Sequence, residues 1–252
     1  MMEPEQMKKR AVVLAVFGTT VARASAAYDG LEQSIRSRSP LPVFRAYTSP
    51  RVRARLNHTV PSLTEVLNRL VAEGYAEAEI VAGFLTSGEE YEKVLGELAA
   101  FDGVLTLHVN RPPLDSDESL ERFLRCLSEI VPAERAAGES VVFMGHGNAD
   151  GRSVSRYMAL DAALKRNDPG FHAACVEGEP SLDAVLPELK PGRVWLIPFL
   201  LAAGDHACND LAGEEADSWR SILAARGFEP VPVLRGLGES PAAADYFTEG
   251  LK

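Results

Sequence analysis

Hydrophobic positions along the chain fall into short continuous runs separated by amphipathic stretches. Residues 11–17 form an apolar, β-branched run closed by Gly18, which is the pattern of a strand buried on both faces. Residues 22–38 have helical composition, Val43–Tyr47 reads as a second strand, and 61–72 as a helix with Leu63, Val66, Leu67, Leu70 and Val71 on one face. A third strand is expected over 79–85. Thr86-Ser87-Gly88 then opens a helix carrying Tyr91, Val94, Leu95 and Leu98. Residues 104–109 read as a fourth strand and 117–130 as a helix with Leu120, Phe123, Leu124 and Leu127 inward.

The scheme then repeats. After a polar connector at 132–139 come strands over 140–144, 171–176, 193–200 and 230–233. The helices between and after them are expected over 153–165, 182–186 (stopped or kinked by Pro187), 210–226 and 240–251. Strands alternating with helices imply parallel, helix-covered sheets. Eight strands in two groups of four predict an α/β protein of two similar lobes, residues 1–131 and 132–252, each a four-stranded parallel sheet flanked by helices, with a cleft between. The terminal helix packs on the body, with the N-terminal lobe as one candidate surface. Gly18-Thr19-Thr20 matches Gly145-His146-Gly147-Asn148 in place, and Ser87-Gly88-Glu89 matches Gly204-Asp205-His206.

Composition narrows the function classes. The 252 residues are 46% hydrophobic and 25% charged, enough for a substantial core. With 26 basic and 36 acidic residues the formal charge is −10, which argues against a general nucleic-acid or membrane-surface binder. Lys8-Lys9-Arg10 before an apolar run imitates a leader peptide, but the run is short, broken by Gly18, and reads better as the first core strand. No stretch reaches the length of a membrane span. Cys126, Cys175 and Cys208 form no CxxC pair and read as reduced thiols.

The candidate chemistry sits at strand ends, where open α/β folds bind ligands. His146 stands between two glycines, Glu177 precedes Gly178, and His206 follows Gly204-Asp205. Two imidazoles and a carboxylate suit a first-row divalent metal and leave coordination positions open. Their separations, 31 and 29 residues, match no local zinc motif, so convergence rests on the fold. The competing reading is of hydrogen-bonded histidines that happen to follow strands. Asp205 is a candidate to orient His206, or an exposed turn residue. His58, His108 and His172 read as structural. Arg45, Arg51, Arg53 and Arg55 cluster after the second strand, fitting either an anionic ligand or a solvated face. Arg111 is a further strand-end candidate. Glu89 opens a helix, where a carboxylate also favours the dipole. No HExxH helix or nucleophile–His arrangement supports a hydrolase.

Several segments together resemble the anaerobic sirohydrochlorin cobalt chelatases of the CbiK type, within the class II chelatases. They are Phe17-Gly18-Thr19, Phe44 to Ser49, Gly88-Glu89-Glu90-Tyr91, Met144-Gly145-His146-Gly147, Val176-Glu177-Gly178, Ala203-Gly204-Asp205-His206-Ala207, Asn209-Asp210-Leu211-Ala212-Gly213, Asp217-Ser218-Trp219 and Gly236-Leu237-Gly238-Glu239. The resemblance implies a cytoplasmic lyase that inserts Co²⁺ into sirohydrochlorin during cobalamin synthesis, with no organic cofactor. His146, Glu177 and His206 would be its metal-binding and catalytic residues. Arg51, Arg45, Thr19, Ser49 and Glu89 are the candidates for holding substrate. The expected partner is sirohydrochlorin, without nucleic acid or membrane, and with a homo-oligomer left open. An iron chelatase for sirohaem (Fe²⁺) and a non-catalytic metal or tetrapyrrole carrier are the alternatives. Many members carry a His shortly before the Gly-Glu-Glu-Tyr segment, where this chain reads Gly83-Phe84-Leu85-Thr86-Ser87.

Overall fold

A computed structural model describes residues 8–251. The first half contains β1 (Arg10–Val16), α1 (Ala26–Arg38), β2 (Val43–Tyr47), α2 (Pro50–Arg55), α3 (Leu63–Ala72), β3 (Glu77–Ala82), α4 (Glu89–Ala99), β4 (Thr106–Val109), α5 (Asp117–Phe123) and α6 (Leu127–Ile130). The second contains β5 (Ser140–Gly147), α7 (Val154–Asn167), β6 (Phe171–Glu177), α8 (Leu182–Val185), β7 (Arg193–Pro198), α9 (Trp219–Ala225), β8 (Glu229–Pro232) and α10 (Pro241–Thr248). The sheets have orders β2-β1-β3-β4 and β6-β5-β7-β8, and every pairing is parallel. The expected two-lobed α/β architecture is what forms, with the same strand order in each lobe.

The continuous apolar runs explain the layering. Alternate residues of β1 face opposite ways: Val12, Leu14 and Val16 join the central core, while Ala11, Val13 and Ala15 join an outer one under α3 and α4. β5 divides likewise, with Val141 and Phe143 central and Val142 and Met144 outer. The central core is continuous between the lobes, because Leu31, Phe123, Phe199 and Phe247 belong to one cluster. Each half also ends in helices that reach the other half. Arg156 and Arg166 of α7 pair with Asp117 and Glu121 of α5 at 3.0 and 2.5 Å. Ser34 and Arg38 of α1 meet Asp245 of α10, both at 2.9 Å. Glu129 of α6 accepts from the Ser240 hydroxyl at 2.9 Å and the Ala242 N–H at 3.0 Å, fastening the start of α10.

Some expected boundaries move for identifiable reasons. β3 starts earlier and ends at Ala82, because the Asn110 side chain accepts from the Ala82 N–H at 2.6 Å and donates to its carbonyl at 3.2 Å. That amide takes the place of a further strand residue. Val71, Leu95 and Val104 are exposed, so the α3 and α4 apolar faces are narrower than the pattern suggested and β4 starts at Thr106. The 117–130 helix is broken by a tight turn over Leu124–Cys126. Residues 210–226 are not one helix. A wide π-type turn covers Ala207–Leu211, and α9 starts only at Trp219, where the Ser218 hydroxyl accepts from the Ser221 N–H at 3.1 Å. Gly213-Glu214-Glu215 between them supplies no apolar face to pack.

Candidate metal centre at the strand ends

β5 runs three residues beyond the expected Met144 and carries His146 as its penultimate residue. The flanking glycines are sterically required. A Cβ on Gly145 would lie 2.2 Å from the Tyr157 ring of α7. Gly147 has a left-handed φ of +69°, and a Cβ there would lie 1.9 Å from the Glu177 carbonyl oxygen. β5 and β6 are therefore pressed together where Gly147 pairs with Glu177. His206 lies beyond β7, immediately before the wide turn. Its loop touches the other lobe, since a Cβ on Gly204 would be 3.2 Å from the Thr19 hydroxyl oxygen.

These two loops bring the imidazoles together, with ring centroids 4.6 Å apart and planes at 87°. The Nδ1 of His146 lies 2.9 Å from the Gly147 carbonyl oxygen, and that of His206 lies 2.7 Å from Asp210 Oδ2. Both partners only accept, so in each neutral ring Nδ1 carries the proton and Nε2 keeps its lone pair. Each ring thus keeps Nε2 as a donor, and imidazole donors suit a divalent first-row ion. Glu177 ends β6 beside this strand, exposed and without a side-chain partner among the described residues. It is not gathered with both rings into a set whose ligand atoms all lie within 4.8 Å of one another. Among the described residues, Glu77, Glu79 and His108 are gathered that closely. There the Arg10 guanidinium already sits at 3.1 and 3.2 Å from the two carboxylates, in the place a cation would take.

The substrate-side candidates separate. Arg51 and Arg55 on α2 are exposed and carry no ion pair among the described residues. Arg45 pairs with Asp29 at 2.7 Å and with Glu32 at 2.6 Å on α1. Arg53 holds Glu65 at 2.5 Å and Arg111 lies 3.4 Å from Asp115. Ser49 is only 4% exposed, and its hydroxyl caps α2 by accepting from the Val52 N–H at 3.3 Å. Thr19 is half-buried at the lobe junction, where its hydroxyl accepts from the Val21 N–H at 3.1 Å. Glu89 begins α4 and pairs with Lys93 at 2.8 Å, and this hydrogen bond holds its carboxyl below the usual range. Between the lobes, Glu92 of α4 meets Arg152 at 3.3 Å.

Other expectations are settled by the same geometry. Asp205 does not touch His206 but accepts from the Asn209 amide at 3.0 Å. The partner is Asp210, which the i, i+4 spacing on a helical turn offered as a signal. Phe17 is 43% exposed at the end of β1, where a core residue would be covered. His172 is buried with both ring nitrogens unpartnered among the described residues, and burial lowers its pKa. Burial pushes the thiols of Cys126 and Cys175 up to about 12, so they are inert core groups. Among the described residues no helix is long and apolar enough to cross a membrane.

Known proteins resemble this chain in sequence and in fold. The profile described as "Cobalt chelatase (CbiK)" matches residues 10–252. The chain is 34% identical to the sirohydrochlorin cobaltochelatase CbiKC of Nitratidesulfovibrio vulgaris, over 99% of this chain and 93% of that one. It is 31% identical to the sirohydrochlorin cobaltochelatase of Salmonella typhimurium, over 96% and 95%. Among solved structures, SirB from Bacillus subtilis with Fe³⁺ superposes with a TM-score of 0.62 at 14% identity, covering 95% of this chain and 93% of SirB. DR2241 from Deinococcus radiodurans, a multi-domain protein with structural similarity to chelatases, gives 0.61 at 17% identity, covering 94% of this chain and 53% of its own. These two likenesses concern the fold alone. The full-length profile match and two full-length relatives above 30% identity make the chain a member of the cobalt chelatase (CbiK) family.

Proposed function

We propose that this protein inserts Co²⁺ into sirohydrochlorin, as a cytoplasmic lyase of cobalamin synthesis. The observation that carries the reading is the pair of imidazoles 4.6 Å apart with both Nδ1 atoms occupied, in a member of a cobalt chelatase family. On this reading His146 and His206 take the incoming ion through Nε2. Glu177, exposed beside them, approaches as the third ligand once the ion is present, or accepts a pyrrole proton as the metal enters. A site of two or three protein donors leaves positions open for the macrocycle nitrogens, so the metal can be handed over rather than retained. The exposed Arg51 guanidinium grips a substrate carboxylate. Phe17 offers its ring to the macrocycle face, and Thr19 and Glu89 line the approach. Residues 1–131 and 132–252 act as the two lobes of one body.

The two-imidazole donor set also suits Fe²⁺. The test is the absorbance of sirohydrochlorin with catalytic amounts of protein and either ion, against protein-free controls. Multiple turnovers with Co²⁺ faster than with Fe²⁺ are expected. Faster iron insertion would reassign the metal, and a single stoichiometric change would make the protein a carrier. Sedimentation of the same sample reads out whether a homo-oligomer is part of the picture.

A further inference from the structure

We infer that Asp210 is the positioning residue of His206: its carboxylate fixes the Nδ1–H tautomer and strengthens Nε2 as a metal donor. This deepens the reading above and rests on His206 being a ligand. The two histidines are backed unequally. The Nδ1 of His146 has a neutral backbone carbonyl at 2.9 Å, whereas that of His206 has a carboxylate at 2.7 Å. A carboxylate behind an imidazole raises its donor strength and locks its orientation. Asp210 is held in place for this. It lies on the wide turn Ala207–Leu211, whose two ends, Ala207 and Leu211, are fully buried in the outer core against Trp219 and Leu223. On the same turn Asn209 donates to Asp205 at 3.0 Å, so the neighbouring carboxylate is tied off and does not compete for His206. A five-residue wide turn places the carboxylate four residues after its histidine, under Nδ1, and leaves Nε2 pointing away from it.

The inequality has a functional consequence. His206 becomes the anchor of the ion and His146 the ligand that gives way first, so the metal stays bound until the macrocycle nitrogens replace its donors.

The test is Co²⁺ binding to the whole protein without tetrapyrrole, followed by titration and by the visible ligand-field spectrum of bound Co²⁺. Asp210→Asn is expected to weaken Co²⁺ binding by about 10–100-fold and to shift the spectrum, while its melting temperature stays close to that of the parent. Asp210→Glu, which restores the charge, should recover part of the affinity, and Asp205→Asn should match the parent. His206→Ala should lose the site. If His206→Ala loses the site while folded Asp210→Asn binds Co²⁺ with the parental affinity and spectrum, the inference is wrong and the ligand assignment stands. If His206→Ala itself binds like the parent, the ligand assignment falls and takes this inference with it. Should Asp210→Asn fail to fold, Asp210→Ser carries the same comparison.

Discussion

In the first lobe the inner strand β1 runs out into Phe17-Gly18-Thr19, and in the second the corresponding β5 runs out into Gly145-His146-Gly147. The two strands hold equivalent places in sheets of the same order, and both divide their side chains between a shared central core and an outer one. What differs is the chemistry beyond the last buried residue. The first lobe ends in an exposed aromatic ring, a hydroxyl at the lobe junction and, after β2, a short helix whose Arg51 and Arg55 carry no ion pair among the described residues. The second ends in two imidazoles and a carboxylate. On the proposed reading, the same scaffold supplies surface for a large anionic ring on one side and donors for an ion on the other. The lesson is that a repeated fold sets where the loops meet, and the loop residues set what they do there.

The sharpest way to break this division of labour is at the metal side. If both rings hold the incoming ion as proposed, His146→Ala and His206→Ala should each lower kcat/KM for Co²⁺ insertion by about 100-fold or more, since neither variant delivers the ion to the macrocycle. Near-parental insertion by both variants would remove the metal centre from the second lobe. Next in size is Gly147→Ala, whose Cβ has no room against the Glu177 carbonyl and whose φ is left-handed. It should destabilise the protein by about 3 kcal/mol, read by denaturant unfolding. The equivalent change at an exposed site such as Gly96, where nothing lies near the added Cβ, should not.

The substrate side is sharpened by contrasting two arginines. Arg51→Ala should raise KM for sirohydrochlorin about 5–10-fold with kcat nearly unchanged, because an exposed charge-assisted contact is made equally in ground and transition states. Arg45→Ala should leave KM alone and cost about 1–2 kcal/mol of stability, because it frees Glu32 and Asp29 on α1. The opposite result would exchange their roles.

The smallest effect is on acid stability. Burial alone would raise the Glu32 pKa, but hydrogen bonds from Arg36 and Arg45 outweigh it and hold the carboxyl below its ordinary value. A carboxylate depressed in the folded state stabilises the protein above its unfolded pKa, and that contribution is lost as pH falls through the folded one. The stability gap between the parent and Arg45→Ala should therefore be constant near neutrality and close below about pH 4. A gap that persists at low pH would mean that Arg45 acts by packing rather than by charge.

The sequence by itself determined the eight strands, their parallel pairing and the two-lobe repeat. Each of those follows from short apolar runs alternating with amphipathic helices, and burial on both faces leaves such runs no other use. It also marked His146, Glu177 and His206 as candidate donors, because each stands at or just beyond the end of a buried apolar run, and the family resemblance pointed to the same three. Tertiary structure decided the rest. Arg45 and Arg51 look alike in sequence, and only the approach of α1 ties down the first. Ser49 became a cap because a helix starts beside it. Asp210 rather than Asp205 backs His206, because the chain makes a wide turn where an ordinary helix was expected, and that choice depends on burying Ala207 and Leu211 against a core built by other elements. Periodicity reports which face of an element is buried. It carries no information on which distant side chain arrives opposite, and the roles of these residues are set by that arrival.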